Sequence, residues 1–154
     1  MDHQLITFPG TEAIRLISVD NEELLGECLA LILAGRDDLR LIERVTDPSQ
    51  ALEKVRIHQP DVLLISTNLG GNLALELTRQ VSSELSKVRV IVLGLNDAEK
   101  MVLECIEAGA SGYSLQHDSL NKLFLTISAV CHGETVCSPQ IAYRTFARIA
   151  ELFE

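Results

Sequence analysis

The stretch "DVLLISTNLGG", residues 61–71, opens on an unbroken apolar run and ends in Ser66, Thr67 and Asn68 before a double glycine. A strand covered on both faces stays apolar along its length, so the run reads as a central strand of a parallel sheet. In such sheets the carboxyl end of a central strand is where ligands and chemistry collect. Here that end carries a hydroxyl and an amide, and no charged group.

Outward from this strand, strands and helices alternate. "AIRLISV" (13–19) is an apolar strand, and the helix "NEELLGECLALILA" (21–34) puts Leu24, Leu25, Cys28, Leu29 and Ile32 on one face before Gly35 stops it. "LRLIERV" (39–45) carries charges and reads as an edge strand. A helix follows with Asp47 as N-cap and Pro48 at its first position. After the 61–66 strand come a helix at 72–85, a strand at 89–93 and a helix at 97–109 capped by Asp97. A short strand at 112–115 and a helix at 119–133 complete the pattern, with Leu120, Leu123, Phe124 and Ile127 on the apolar stripe of that helix. Strict alternation predicts a doubly wound α/β fold, with a parallel sheet, right-handed crossovers and helices on both faces. Residues 1–12, with Pro9-Gly10 and no period, are expected to form a mobile lead-in, and residues 13–133 the domain.

Residues 134–154 hold a sixth helix with Ser138 as N-cap and Pro139 at N1. Its stripe of Ala142, Phe146, Ile149, Ala150 and Phe153 requires something to pack on. Phe146, Ile149 and Phe153 are therefore candidates for a linker or dimer contact. The pattern lacks a stop signal, which fits either a naturally short chain or one that continues into another domain.

Bulk properties narrow the function. The 154 residues are 47% hydrophobic with no Trp, enough to bury roughly two thirds of the chain's surface around Leu, Ile, Val and Ala. A net charge of −9 repels phosphate backbones, so DNA contact is expected only through a further domain beyond residue 154, if one exists. The absence of a long apolar run or signal pattern predicts a cytoplasmic chain without membrane contact. Cys28 and Cys105 fall in apolar helical patterns, and Cys131 and Cys137 flank "HGETV". A redox pair between the last two is conceivable, but structural cysteines are the expectation in a reducing compartment. The spacing C-H-x4-C is not a zinc motif, and no metal or cofactor is expected.

The (βα)5 order, with "IRLISVDNEELL", "DVLLIS" and above all "EAGASGYSLQHDS", resembles the receiver domain of bacterial response regulators. Within that family it is most similar to the NarL/FixJ (LuxR-type) branch, on "AGASGY" and "SPQIA", over residues 13–139. The resemblance implies a flavodoxin-like sheet of order 2-1-3-4-5. It also implies a site where an Asp ending the third strand accepts a phosphoryl group, two acids after the first strand help hold Mg²⁺, and a Thr/Ser and a Lys bind the phosphoryl oxygens. Carried over by position, the acid pair falls on Asp20 and Asn21, the acceptor on Ser66, the Thr/Ser on Gly94 and the Lys on Gln116. Only Asp20 keeps the expected chemistry.

Without a carboxylate at 66 no acyl phosphate forms, and a Ser hydroxyl is a poor nucleophile without a neighbouring base. The resemblance thus predicts a pseudo-receiver with no catalytic residue. Tyr113 matches the family's aromatic switch position. It is expected either to pack half-buried at the sheet edge or, using the space left by Gly94, to rest inward permanently.

The leading expectation is a phosphorylation-independent interaction and dimerisation module, the N-terminal half of a LuxR-type transcription regulator. It would pair with itself or with another regulator. The alternative is a small-molecule sensor using the neutralised pocket, with Thr67 and Asn68 beside the five degenerate positions. Enzyme activity is not expected, since no P-loop, G-x-S-x-G or G-x-G-x-x-G is present.

Overall fold

The computed structural model describes residues 13–96 and 99–153, except for the side chains of residues 23–25 and 99. The lead-in at 1–12, the Asp97 cap and the Leu24 and Leu25 side chains lie outside the described residues.

Five parallel strands form one sheet in the order β2-β1-β3-β4-β5: β1 Ile14–Val19, β2 Leu39–Val45, β3 Val62–Ser66, β4 Arg89–Leu95 and β5 Gly112–Leu115. The helices are α1 Glu23–Ala34, α2 Ala51–His58, α3 Leu73–Glu84, α4 Glu99–Glu107, α5 Leu120–Cys131 and α6 Pro139–Leu152. The 61–66 run is the central strand, and every residue of β3 is buried.

Alternation along β3 sends side chains to two apolar layers. Leu63 and Ile65 join Val55 of α2, Val81 of α3 and Val102 of α4 on one side. Val62 and Leu64 join Leu33 of α1 and Phe124, Ile127 and Val130 of α5 on the other. The charged strand 39–45 is at the edge, as its composition predicts.

Three local expectations need correction. Asp47 caps a 3₁₀ turn, Pro48–Gln50, rather than the helix itself; its carboxylate accepts the Ser49 N–H at 3.0 Å and α2 begins only at Ala51. The buried face of α1 is shifted from the expected one: Leu29 packs against the core as expected, but Leu33 is buried while Cys28 and Ile32 are exposed. "CLALILA" is apolar on nearly every side, so periodicity alone does not choose a face. On α5, Leu120 is exposed and Thr126 is buried, its hydroxyl donating to the Lys122 carbonyl at 2.9 Å. On the outer face of α2, Lys54 pairs with Glu43 at 3.0 Å and Arg56 with Glu84 at 2.6 Å.

α6 packs against α4 and the β5 edge. Ile141 inserts into the core beside Val102, and the Arg148 guanidinium donates to the Glu107 carboxylate at 2.9 Å. The face that docks is thus Ile141, Ala142 and Thr145, while Tyr143, Phe146, Ile149, Leu152 and Phe153 are exposed.

Candidate functional site

β1, β3, β4 and β5 bring the five positions to the carboxyl edge of the sheet. Asp20 and Asn21 follow β1, Ser66 ends β3, Gly94 lies near the end of β4, and Gln116 follows β5. The register places Val19 beside Ile65 and Ser66 beside Leu93, so Asp20 flanks Ser66 on one side and Gly94 follows on the other.

Ser66 is 3% exposed, and its Oγ accepts the Asn68 N–H at 3.1 Å. The hydroxyl therefore caps the 3₁₀ turn Thr67–Leu69. Thr67 Oγ1 donates to the Gly94 carbonyl at 3.1 Å, tying the ends of β3 and β4 together. Asp20 Oδ1 accepts the Glu22 N–H at 2.8 Å, and its own N–H donates to the Val45 carbonyl. Asn21, Asn68 and Gln116 are exposed, and the Gln116 N–H donates to the Leu95 carbonyl at 2.9 Å.

Among the described residues no buried side-chain nitrogen or oxygen lacks a partner. The Ser66 and Thr67 hydroxyls and one Asp20 oxygen are engaged with the backbone, whereas the Asn21, Asn68 and Gln116 side chains are exposed at the same edge.

These residues do not fit Mg²⁺. The ion dehydrates reluctantly and needs carboxylates or phosphates. Of the family's three acid positions only Asp20 offers a carboxylate, and one of its oxygens already accepts an N–H. Glu22 is exposed, and among the described residues no three His, Cys, Asp or Glu side chains cluster.

Gly94 is more than a missing hydroxyl. Its φ is +81°, and a Cβ there would lie 3.2 Å from Thr67 Oγ1. Replacing Gly94 with Thr is expected to cost about 1–3 kcal/mol in urea denaturation, because a β-branched residue resists positive φ. The positive φ accompanies a register shift between Val92 and Leu95 that carries β4 beyond its expected end at 93, to Leu95 opposite Leu115.

Tyr113 does not rest inward over Gly94. Its ring joins the core layer that contains Val102 and Ile141, and its hydroxyl oxygen accepts the N–H of Ser138, the α6 N-cap, at 3.3 Å. The space beside Gly94 faces Thr67 instead. The half-buried edge position is the one adopted, with α6 as its cover. Sequence reasoning missed this partnership because Ser138 reads only as a helix cap.

The cysteines occupy separate settings. Cys131 packs in the α1–α5 layer, whereas Cys137 is exposed between α5 and α6, and all four thiols are free. Burial, with Glu104 nearby, pushes the Cys105 thiol up to about 11. Burial and the Asp61 charge push Cys131 to about 11 against the opposite pull of Arg89. A thiol-disulfide reagent at pH 8 is expected to label Cys28 and Cys137 first. Cys105 and Cys131, with roughly one thiolate per thousand molecules, should react only on unfolding; equal rates for all four would contradict their settings.

Comparison with known proteins places this geometry. The sequence pattern of the response regulator receiver domain matches residues 16–127. The chain is 28% identical over 130 residues to the transcriptional regulatory protein DegU of Brevibacillus brevis, covering 84% of this chain and 55% of that protein. It is also 28% identical over 129 residues to the response regulator GacA of Pseudomonas viridiflava, covering 84% of this chain and 60% of that one. It thus spans little more than half the length of these relatives.

In fold it is similar to a LuxR-family two-component response regulator from Aurantimonas sp. SI85-9A1, with a TM-score of 0.77 at 23% identity, over 90% of this chain and 99% of that one. The receiver domain of the NarL regulator from Mycobacterium tuberculosis gives 0.74 at 22% identity, over 80% and 100%. The chain belongs to the response-regulator receiver family.

Proposed function

We propose that this chain is a receiver domain that works without phosphoryl transfer, as an interaction and dimerisation module of a LuxR-type transcription regulator. The observation that carries the proposal is Ser66: at the end of the central strand it offers a buried hydroxyl already engaged with the Asn68 N–H. Asn21, Gly94 and Gln116 depart from the family's chemistry in the same direction, since none supplies the acid, hydroxyl or cation a phosphoryl group requires. On this reading the domain performs no catalysis and acts in the cytoplasm. Among the described residues no helix is long and apolar enough to cross a membrane.

The binding surface in this proposal is the outer stripe of α6. Phe146 is 72% exposed, Ile149 46% and Phe153 87%, a run of large apolar groups that a second copy of the chain would cover. With net charge −9, the rest of the surface disfavours self-association, so a dimer needs such an apolar contact. Light scattering on the full chain is expected to show a dimer at tens of micromolar. The F146E/I149E pair should give a monomer with unchanged circular dichroism. A strictly monomeric wild-type chain, or a variant that stays dimeric, would refute this surface.

A further inference from the structure

Open space remains beneath the start of α6. Two cavities flank Tyr113, one of about 370 Å³ and one of about 230 Å³, and both are lined by Tyr113, Val136 and Cys137. The roof is the connection between α5 and α6 together with the first turns of α6, and the floor is β5 and α4.

We propose that the smaller cavity binds an uncharged, bicyclic-sized apolar molecule carrying one hydrogen-bond acceptor, held between α6 and β5. This inference concerns a different part of the molecule from the strand-end site and stands independently of whether the domain accepts phosphate.

Three observations point to that ligand class. First, size: a cavity of about 150 Å³ holds benzene, so 230 Å³ suits two fused rings. Second, polarity: Ile106, Ala110, Val136, Ala142 and Phe146 supply an apolar wall, Ser111, Thr135 and Thr145 add only neutral hydroxyls, and no Asp, Glu, Lys, Arg or His lines the cavity, so a charged ligand would be left unpaired. Third, a positioned polar group: the Tyr113 oxygen accepts the Ser138 N–H, yet a phenol also has a proton to give. Among the described residues no hydrogen bond from that hydroxyl to a protein group accompanies it. A carbonyl or ether oxygen on the ligand, placed beside Tyr113, would take that proton.

Such a ligand would touch Ala142 and Phe146 on α6 and Gly112 and Tyr113 on β5 at once. Its binding free energy would therefore add to the docking of α6, which rests otherwise on Ile141 and the Arg148–Glu107 pair.

The test uses the full chain, labelled for amide NMR and titrated with 1-indanone and with indane, two rings of the same size with and without an acceptor. Indanone is expected to bind saturably, with shifts at 110–113 and 135–146, and about 5- to 10-fold more tightly than indane, the usual worth of one added hydrogen bond. Tyr113→Phe should bring indanone down to the affinity of indane. Ala142→Leu, which fills the cavity, should abolish both, and Ala110→Val serves the same purpose should α6 be displaced. Saturable binding of neither probe would overturn the proposal. So would shifts confined to Tyr143, Ile149 and Phe153, or equal affinities untouched by Tyr113→Phe.

Discussion

Replacing Ser66 with Asp, the residue a working receiver carries there, is expected to destabilise the domain by about 2–4 kcal/mol at neutral pH. Position 66 is 3% exposed and flanked by Asp20, while Gln116 supplies no cation to offset a second carboxylate. Burial and a like charge both disfavour ionisation. A rise of about 1.5–3 units in the new carboxyl's pKa, at about 1.4 kcal/mol per unit, gives the stated cost.

The sign of its pH dependence follows from linkage. With a folded pKa above the unfolded value of about 3.9, the folded state binds more protons, so the penalty is absent below pH ~4 and grows as pH rises to the folded pKa. Urea melts of S66D and wild type should therefore converge near pH 4 and separate by pH 7.5. A penalty that is equal at both pH values would point to steric rather than electrostatic cost.

Replacing Ile141 with Asp is expected to release α6 while leaving the sheet folded. Ile141 is 5% exposed and is the buried side chain by which α6 joins the core. Burying an isoleucine contributes about 2–3 kcal/mol, and an unpaired carboxylate in its place would cost more than detachment of the helix. Detachment also breaks the Ser138–Tyr113 hydrogen bond and the Arg148–Glu107 pair. Hydrogen exchange read by mass spectrometry should show amides of 139–152 losing about 30-fold or more of their protection, with β1, β3 and β4 unchanged. Unchanged protection in α6 would mean that its docking does not depend on this side chain.

The parts of the fold legible in the sequence are those where one local signal has one structural meaning. The apolar run 62–65 is central because only a strand covered on both faces tolerates it, and Gly109 ends α4 at φ +105° where a left-handed residue is needed. The carboxyl edge was legible too: alternation alone brings Asp20, Ser66, Gly94 and Gln116 to one end of the sheet.

The rest depended on tertiary neighbours. The buried face of α1 is ambiguous because Cys28, Leu31, Ile32 and Leu33 are all apolar, and only the packing of Leu33 against the α5 layer decides it. The direction of Tyr113 depends on Ser138, separated from it by a whole helix. The left-handed backbone of Gly94 is tied to the Thr67 hydroxyl on the neighbouring strand, which no pattern in "VLGLND" announces.

The central claim, a receiver that has left phosphoryl transfer, is tested most directly by incubating the full chain with acetyl phosphate and Mg²⁺ and recording its intact mass. With a buried, hydrogen-bonded serine at the end of β3 and a single carboxylate beside it, the expected spectrum shows unmodified protein alone. A stable phosphoryl adduct mapping to Asp20 or Ser66 would contradict the claim.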